Sequence, residues 1–136
     1  MAEEARWQCA AQGSFAVTAL LDARMDEMYA GSFQFDRGLW RQDGQCSLIK
    51  PEDVGSTEGA VMAGNVFAVY AARLPDGPGL RLTALPTASA MLRLAPALLA
   101  SGAAVSAEHA LPTYVRDKVA QTTLERAALK QGEALR

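Results

Sequence analysis

Phe15-Ala16-Val17-Thr18-Ala19-Leu20-Leu21 opens the stretch that decides the fold, residues 15–49. A run so nearly all apolar suits a strand covered on both faces. The next run, Asp26–Phe35, alternates: Tyr29, Phe33 and Phe35 fall on one side, Ser32 and Gln34 on the other, as in a half-buried strand. Asp36-Arg37-Gly38 then turns the chain into a third run, Leu39–Ile49, interrupted at Asp43-Gly44. Connections this short join antiparallel neighbours. The stretch predicts a three-stranded meander.

Upstream, residues 2–11 are helix formers that stop before Gly13, with no Ser, Thr, Asp or Asn to cap their start. A helix that opens uncapped leads us to expect further chain before it. Downstream the pattern changes. Lys50-Pro51-Glu52-Asp53 places proline and acids where a helix begins. Ala60–Ala63 reads as a short strand ending at Gly64-Asn65, Val66–Arg73 as a two-turn helix, Pro75–Gly79 as a loop and Leu80–Leu85 as a further alternating strand. Thr87–Ser101 is the clearest helix, with Ala88, Met91, Leu92, Ala95, Leu98 and Leu99 recurring at spacings of three and four on one apolar face. Thr87 can cap its start and Gly102 its end, while Pro96 must kink it or remove a backbone hydrogen bond. From Val105 to Val119 the chain reads as extended, and Gln121–Arg136 as a polar tail. A meander followed by alternating helices and strands is α/β: a mixed sheet with helices on its faces. It is the ribonuclease H-like arrangement if the later strands run parallel to the first.

With 136 residues, half of them apolar, the chain has the size and composition of one soluble globular domain. No apolar run approaches the ~20 residues of a membrane span. The net charge of −2 gives no field for nucleic acid or anionic lipid. No basic segment followed by an apolar one marks a signal peptide at the N-terminus. Cys9 and Cys46 lack the spacing of a zinc or redox motif and read as free thiols of a reducing cytoplasm.

Catalytic groups are scarce. His109 is the only histidine, so a zinc site of the HExxH kind is excluded, and no Gly-x-Ser-x-Gly elbow accompanies it as the base of a triad. Neither a Walker loop nor GxGxxG occurs. Gly55-Ser56-Thr57-Glu58-Gly59 fits a surface turn better than a phosphate cradle. Two polar patches remain. Asp22-Ala23-Arg24-Met25-Asp26-Glu27 sets three carboxylates and a guanidinium where two strands meet; they suit a hard cation, or a hairpin whose acids are solvated or paired with Arg24. Tyr114-Val115-Arg116-Asp117-Lys118 offers a guanidinium beside a tyrosine, which fits a base, a phosphate, a carboxylate or a clamp within the domain.

At these patches the sequence resembles the bacterial TsaB family. Leu20–Tyr29 is similar to the strand-turn-strand that opens the second half of its members, and Ala107–Ala120 to their closing signature. Lys50-Pro51-Glu52 and Ala63-Gly64-Asn65 fall between in the family's order. The resemblance covers residues 2–120. It implies an actin-like protein built of two ribonuclease H-like halves, often labelled glycoprotease-like or peptidase-like. The implied role is to help make threonylcarbamoyladenosine beside the anticodon of tRNA. A TsaD-type subunit carries the metal, nucleotide and transfer chemistry, a TsaE-type ATPase joins, and the TsaB-type subunit is a noncatalytic scaffold that meets tRNA only indirectly.

The family's opening Asp-Thr strand and its glycine-rich loop have no counterpart here, so the resemblance assigns residues 1–13 to an interdomain helix, 14–120 to a C-terminal domain and 121–136 to a tail. It implies no cofactor, a cytoplasmic location, no membrane contact and self-association of this half. Partner or interdomain contacts are expected at Asp22, Arg24, Glu27, Tyr29, His109, Tyr114, Arg116 and Asp117. The alternatives are a peptidase-like hydrolase using His109 and a nucleotide-binding half-domain.

Overall fold

A computed structural model of the chain describes residues 1–55, 59–76 and 79–116. Helix α1 (Ala2–Gln8) leads into strands β1 (Phe15–Arg24), β2 (Glu27–Asp36) and β3 (Leu39–Ile49); β4 (Val61–Gly64), helix α2 (Phe67–Tyr70), β5 (Arg81–Thr83) and helix α3 (Ala88–Ala100) follow. The sheet order is β3-β2-β1-β4-β5. β1 pairs antiparallel with β2, and β2 with β3, which is the meander expected from the short turns. β4 lies parallel to β1 and β5 parallel to β4, so the sheet is mixed and β1 joins its two halves.

Both faces of the sheet are packed, as the apolar β1 requires. On one face Leu20, Met28 and Met62 meet Val54, Val66, Tyr70 and Leu74 from the crossover segments. On the other, Val17, Ala63 and Ala84 meet Ala5 of α1, with Phe15, Phe33 and Trp40 packed against them. β1 and β4 approach so closely that a Cβ on Gly64 would stand 1.8 Å from the carbonyl oxygen of Leu20. Only glycine fits there.

Several elements are shorter than the sequence implied. α1 stops at Gln8, and Ala10, not Gly13, takes the left-handed conformation that ends it, at φ 50°. Proline and acids at 51–53 start a single 3-10 turn rather than a helix, and the two-turn helix at 66–73 keeps one turn, α2. The extended segment after Val105 is interrupted by a 3-10 turn at Ala107–His109. Residues 56–58 and the tail at 121–136 lie outside the described residues. The interruption in β3 is a bulge: the register with β2 slips between Ala30↔Ser47 and Ser32↔Asp43, with Gly44 at φ 71°.

α3 forms as expected, capped by the Thr87 hydroxyl, which accepts from the Ala90 amide at 3.1 Å. The apolar stripe points outward, with Met91 70 %, Leu92 74 % and Leu99 64 % exposed, while Ala90 is buried. The cause is electrostatic. Glu3 of α1 is buried and accepts from Arg6 (3.0 Å), Trp40 Nε1 (3.0 Å) and Arg93 Nε (3.1 Å). Glu4 accepts from Arg93 Nη2 and from the Thr87 hydroxyl, both at 2.8 Å. A buried carboxylate without these donors would be far more costly than an exposed leucine. Turning Arg93 inward turns Leu92 outward.

Candidate functional site

The two polar patches of the sequence meet at the tip of the β1–β2 hairpin. Three consecutive residues there, Arg24, Met25 and Asp26, have φ of 64°, 57° and 60°. Left-handed backbone is strained for such side chains, and the strain is held by specific bonds. The Asp22 carboxylate accepts from the Arg24 amide at 3.0 Å and from the Tyr70 hydroxyl at 2.9 Å, and the Asp22 amide donates to the Asn65 side chain at 2.9 Å. The Arg24 amide and the Tyr70 hydroxyl hold the Asp22 carboxyl below its ordinary value of 3.8.

Arg116 closes the tip. Its Nη2 donates to the carbonyls of Ala23 (2.8 Å) and Arg24 (3.1 Å) and pairs with the Glu27 carboxylate at 2.9 Å, while Nη1 lies 3.0 Å from the Met25 sulfur. Its Nε is buried and has no hydrogen-bond partner among the described residues. On the outer side Arg73 bridges Asp26 (3.2 Å) and Glu52 (2.9 Å). Asp26 and Glu27 are therefore paired with Arg73 and Arg116, while Asp22 takes the Arg24 amide and the Tyr70 hydroxyl. A tip that presents carbonyls and carboxylates takes a guanidinium and repels a phosphate. Among the described residues no group of three His, Cys, Asp or Glu is arranged to hold a metal ion.

The other expected site residues scatter. Tyr29 points away from Met28 into an open apolar groove of about 430 Å³ between the sheet and α3, lined also by Leu21, Phe33, Trp40 and Leu94. Tyr114 is 87 % exposed. Asp117 lies outside the described residues. His109 sits on an exposed 3-10 turn, its Nδ1 2.8 Å from the Ser106 hydroxyl, which also approaches Glu108 at 3.3 Å. The carboxylate here faces the serine and not the imidazole, so nothing orients the ring as a triad requires. Sequence reasoning did not find Asn65, Tyr70, Arg73 or Ser106. Spacing carries no signal for Tyr70 and Arg73, which reach the hairpin through the β4–α2 crossover.

No protein-family model matches the chain. It is 34 % identical over 133 residues to the tRNA threonylcarbamoyladenosine biosynthesis protein TsaB of Escherichia coli (strain K12), an alignment spanning 79 % of this chain and 51 % of that protein. YeaZ from Pseudomonas aeruginosa superimposes with a TM-score of 0.69 and 37 % identity over 83 % of this chain and 55 % of its own. Over the aligned residues the chain is similar to TsaB.

A second solved structure, of an uncharacterized Pseudomonas aeruginosa protein with similarity to peptidase YeaZ, agrees at a TM-score of 0.70 and 36 % identity, covering 85 % of this chain and 56 % of that one. The chain thus has the actin-like, ribonuclease H-like α/β fold, and β4 and β5 run parallel to β1, the condition that the sequence reading set for it. It spans about half the length of the relatives it matches. No helix among the described residues is long and apolar enough to cross a membrane.

Proposed function

We propose that this chain supplies the second, noncatalytic half of a TsaB-type subunit that acts in the cytoplasm in the synthesis of threonylcarbamoyladenosine on tRNA. The reading rests on the 34 % identity to the relative named for that pathway. In it, residues 1–13 form the interdomain helix, 14–120 the domain and 121–136 a tail. Partners are a TsaD-type catalytic subunit and a TsaE-type ATPase, with tRNA contacted indirectly and no cofactor held by this half.

The hairpin tip supports a scaffold reading: its acceptors are taken up by Arg116, a side chain of the same domain. The test is a chimera in which residues 14–120 replace the matching half of the Escherichia coli relative. Once folding is confirmed by circular dichroism, it should be retained by the TsaD-type subunit in a pull-down and should support transfer of threonylcarbamoyl to tRNA. A folded chimera that does neither refutes the proposal.

The peptidase reading has one observation in its favour, the Ser106–His109 bond. Its exposure and the misplaced Glu108 argue against an activated hydroxyl, which needs a base oriented by a third group. The purified chain should cleave no peptide, and His109→Ala should change nothing. Nucleotide binding by this half is expected to be feeble, and a micromolar calorimetric signal with ATP would contradict that.

A further inference from the structure

The tip of the β1–β2 hairpin carries an oxidisable group. Met25 is the middle one of its three left-handed residues and is 70 % exposed, and its sulfur accepts from Arg116 Nη1 at 3.0 Å. The chain has five methionines. Met28 and Met62 are buried in the core and closed to a solute. Met91 is as exposed as Met25, but it stands on a helix whose one charge, Arg93, is turned inward to Glu3 and Glu4. Met25 alone among these four combines solvent access with a guanidinium at its sulfur.

A thioether is a weak acceptor and a poor match for a guanidinium, whereas a sulfoxide is polar and presents an oxygen. A peroxide converts one into the other. A lone pair of the Met25 sulfur attacks one peroxide oxygen as the O–O bond breaks. The departing hydroxide takes the proton left on the sulfur-bound oxygen and leaves as water. The sulfur is oxidised and the peroxide reduced, so that thioether and hydrogen peroxide become sulfoxide and water. An oxygen does not fit within the present 3.0 Å, so the sulfur must back away, which an exposed side chain does without disturbing the core. Arg116 Nη2 is a separate donor and keeps its bonds to the Ala23 and Arg24 carbonyls and to Glu27. At Nη1 a weak bond to sulfur gives way to a charge-assisted one to oxygen.

We propose that Met25 is a site of oxidation by peroxide, and that its sulfoxide oxygen takes Arg116 Nη1 and tightens the hairpin tip. Methionine sulfoxide is returned to the thioether by dedicated reductases, so the tightening can be reset. The inference rests on the geometry of the tip and is independent of the pathway proposed for the chain.

The test treats the 136-residue chain with hydrogen peroxide and follows the gain of oxygen at each methionine by peptide mass spectrometry. Met25 and Met91 should convert while Met28 and Met62 stay reduced. Amide exchange at Arg24–Glu27 in the oxidised chain should then slow about tenfold, the scale of one charge-assisted hydrogen bond. Peroxide should leave that exchange unaltered in Met25→Leu, which has no sulfur to oxidise, and in Arg116→Ala, which has no donor for the oxygen. Met91→Leu should respond as the wild type does. A Met25 that stays reduced while Met91 converts overturns the proposal. So does exchange that is unchanged or faster after Met25 is oxidised, or a slowing that persists in Met25→Leu or Arg116→Ala or is lost in Met91→Leu.

Discussion

The guanidinium of Arg116 donates to the carbonyl of Ala23 at 2.8 Å, across 93 residues of sequence. One side chain thereby ties the segment after α3 to the tip of the first hairpin. The residues from Leu98 to Tyr114 that lead up to it are all exposed.

Arg116→Ala should therefore free both partners without unfolding the sheet. Charged hydrogen bonds of this kind contribute about 1.5–3 kcal/mol, so amide exchange at Arg24–Glu27 should speed up at least tenfold. Arg116→Lys should not rescue it, since an ammonium lacks the planar fork that serves two carbonyls and a carboxylate together. Exchange rates equal to wild type would contradict the tie.

Gly64→Ala should be among the most damaging single changes. The added methyl would collide with the Leu20 backbone, which the β1–β4 pairing holds in place. A loss of more than about 3 kcal/mol is expected in denaturant titration. Gly13→Ala, where a Cβ meets nothing within 4 Å, is the control and should stay within about 0.5 kcal/mol.

Acid should loosen the α1–α3 lock. Burial alone would raise the Glu3 carboxyl, but the bonds from Arg6, Trp40 and Arg93 outweigh it and hold the group below its ordinary 4.5. A carboxyl lowered in the folded state stabilises above its unfolded value and loses that contribution as pH falls through the folded one. Stability should thus decline below pH 4.5, and Glu3→Gln should flatten that decline. At neutral pH the same variant removes the charge partner of Arg6 and leaves Arg93 with Glu4 alone, and should cost about 3 kcal/mol. An unchanged acid profile in Glu3→Gln would argue against the lock.

Tyr70→Phe removes one of the two donors that hold Asp22 ionised. The Asp22 carboxyl should move up toward 3.8, followed by carbon-detected NMR titration. The Arg24 amide bond remains, so the shift should be partial. No movement would mean that the backbone bond alone sets the value.

The meander was legible because Asp36-Arg37-Gly38 and the short connection at Arg24–Asp26 leave consecutive strands no choice but to pair antiparallel. The orientation of α3 was not. Amphipathic reasoning assumes that an apolar stripe faces the core, yet Arg93 meets its partners Glu3 and Glu4 some ninety residues away, and no local spacing reveals that. The hairpin site was half legible: both patches stood out as polar clusters, but the ion pairs run from Arg73 and Arg116, which only the β1–β4 pairing and the segment after the 3-10 turn at Ala107–His109 bring near.

Because β1 takes an antiparallel neighbour on one side and a parallel one on the other, the two halves of the sheet mature at different times during synthesis. The hairpins can zip as soon as Ile49 has emerged, since their contacts are local. Leu20 and Met28 then wait, unshielded, until Met62 and the crossover behind it arrive. During that interval the nascent chain presents a sticky, half-finished surface. Translation speed through residues 50–74 therefore sets how long this chain is exposed to misassociation.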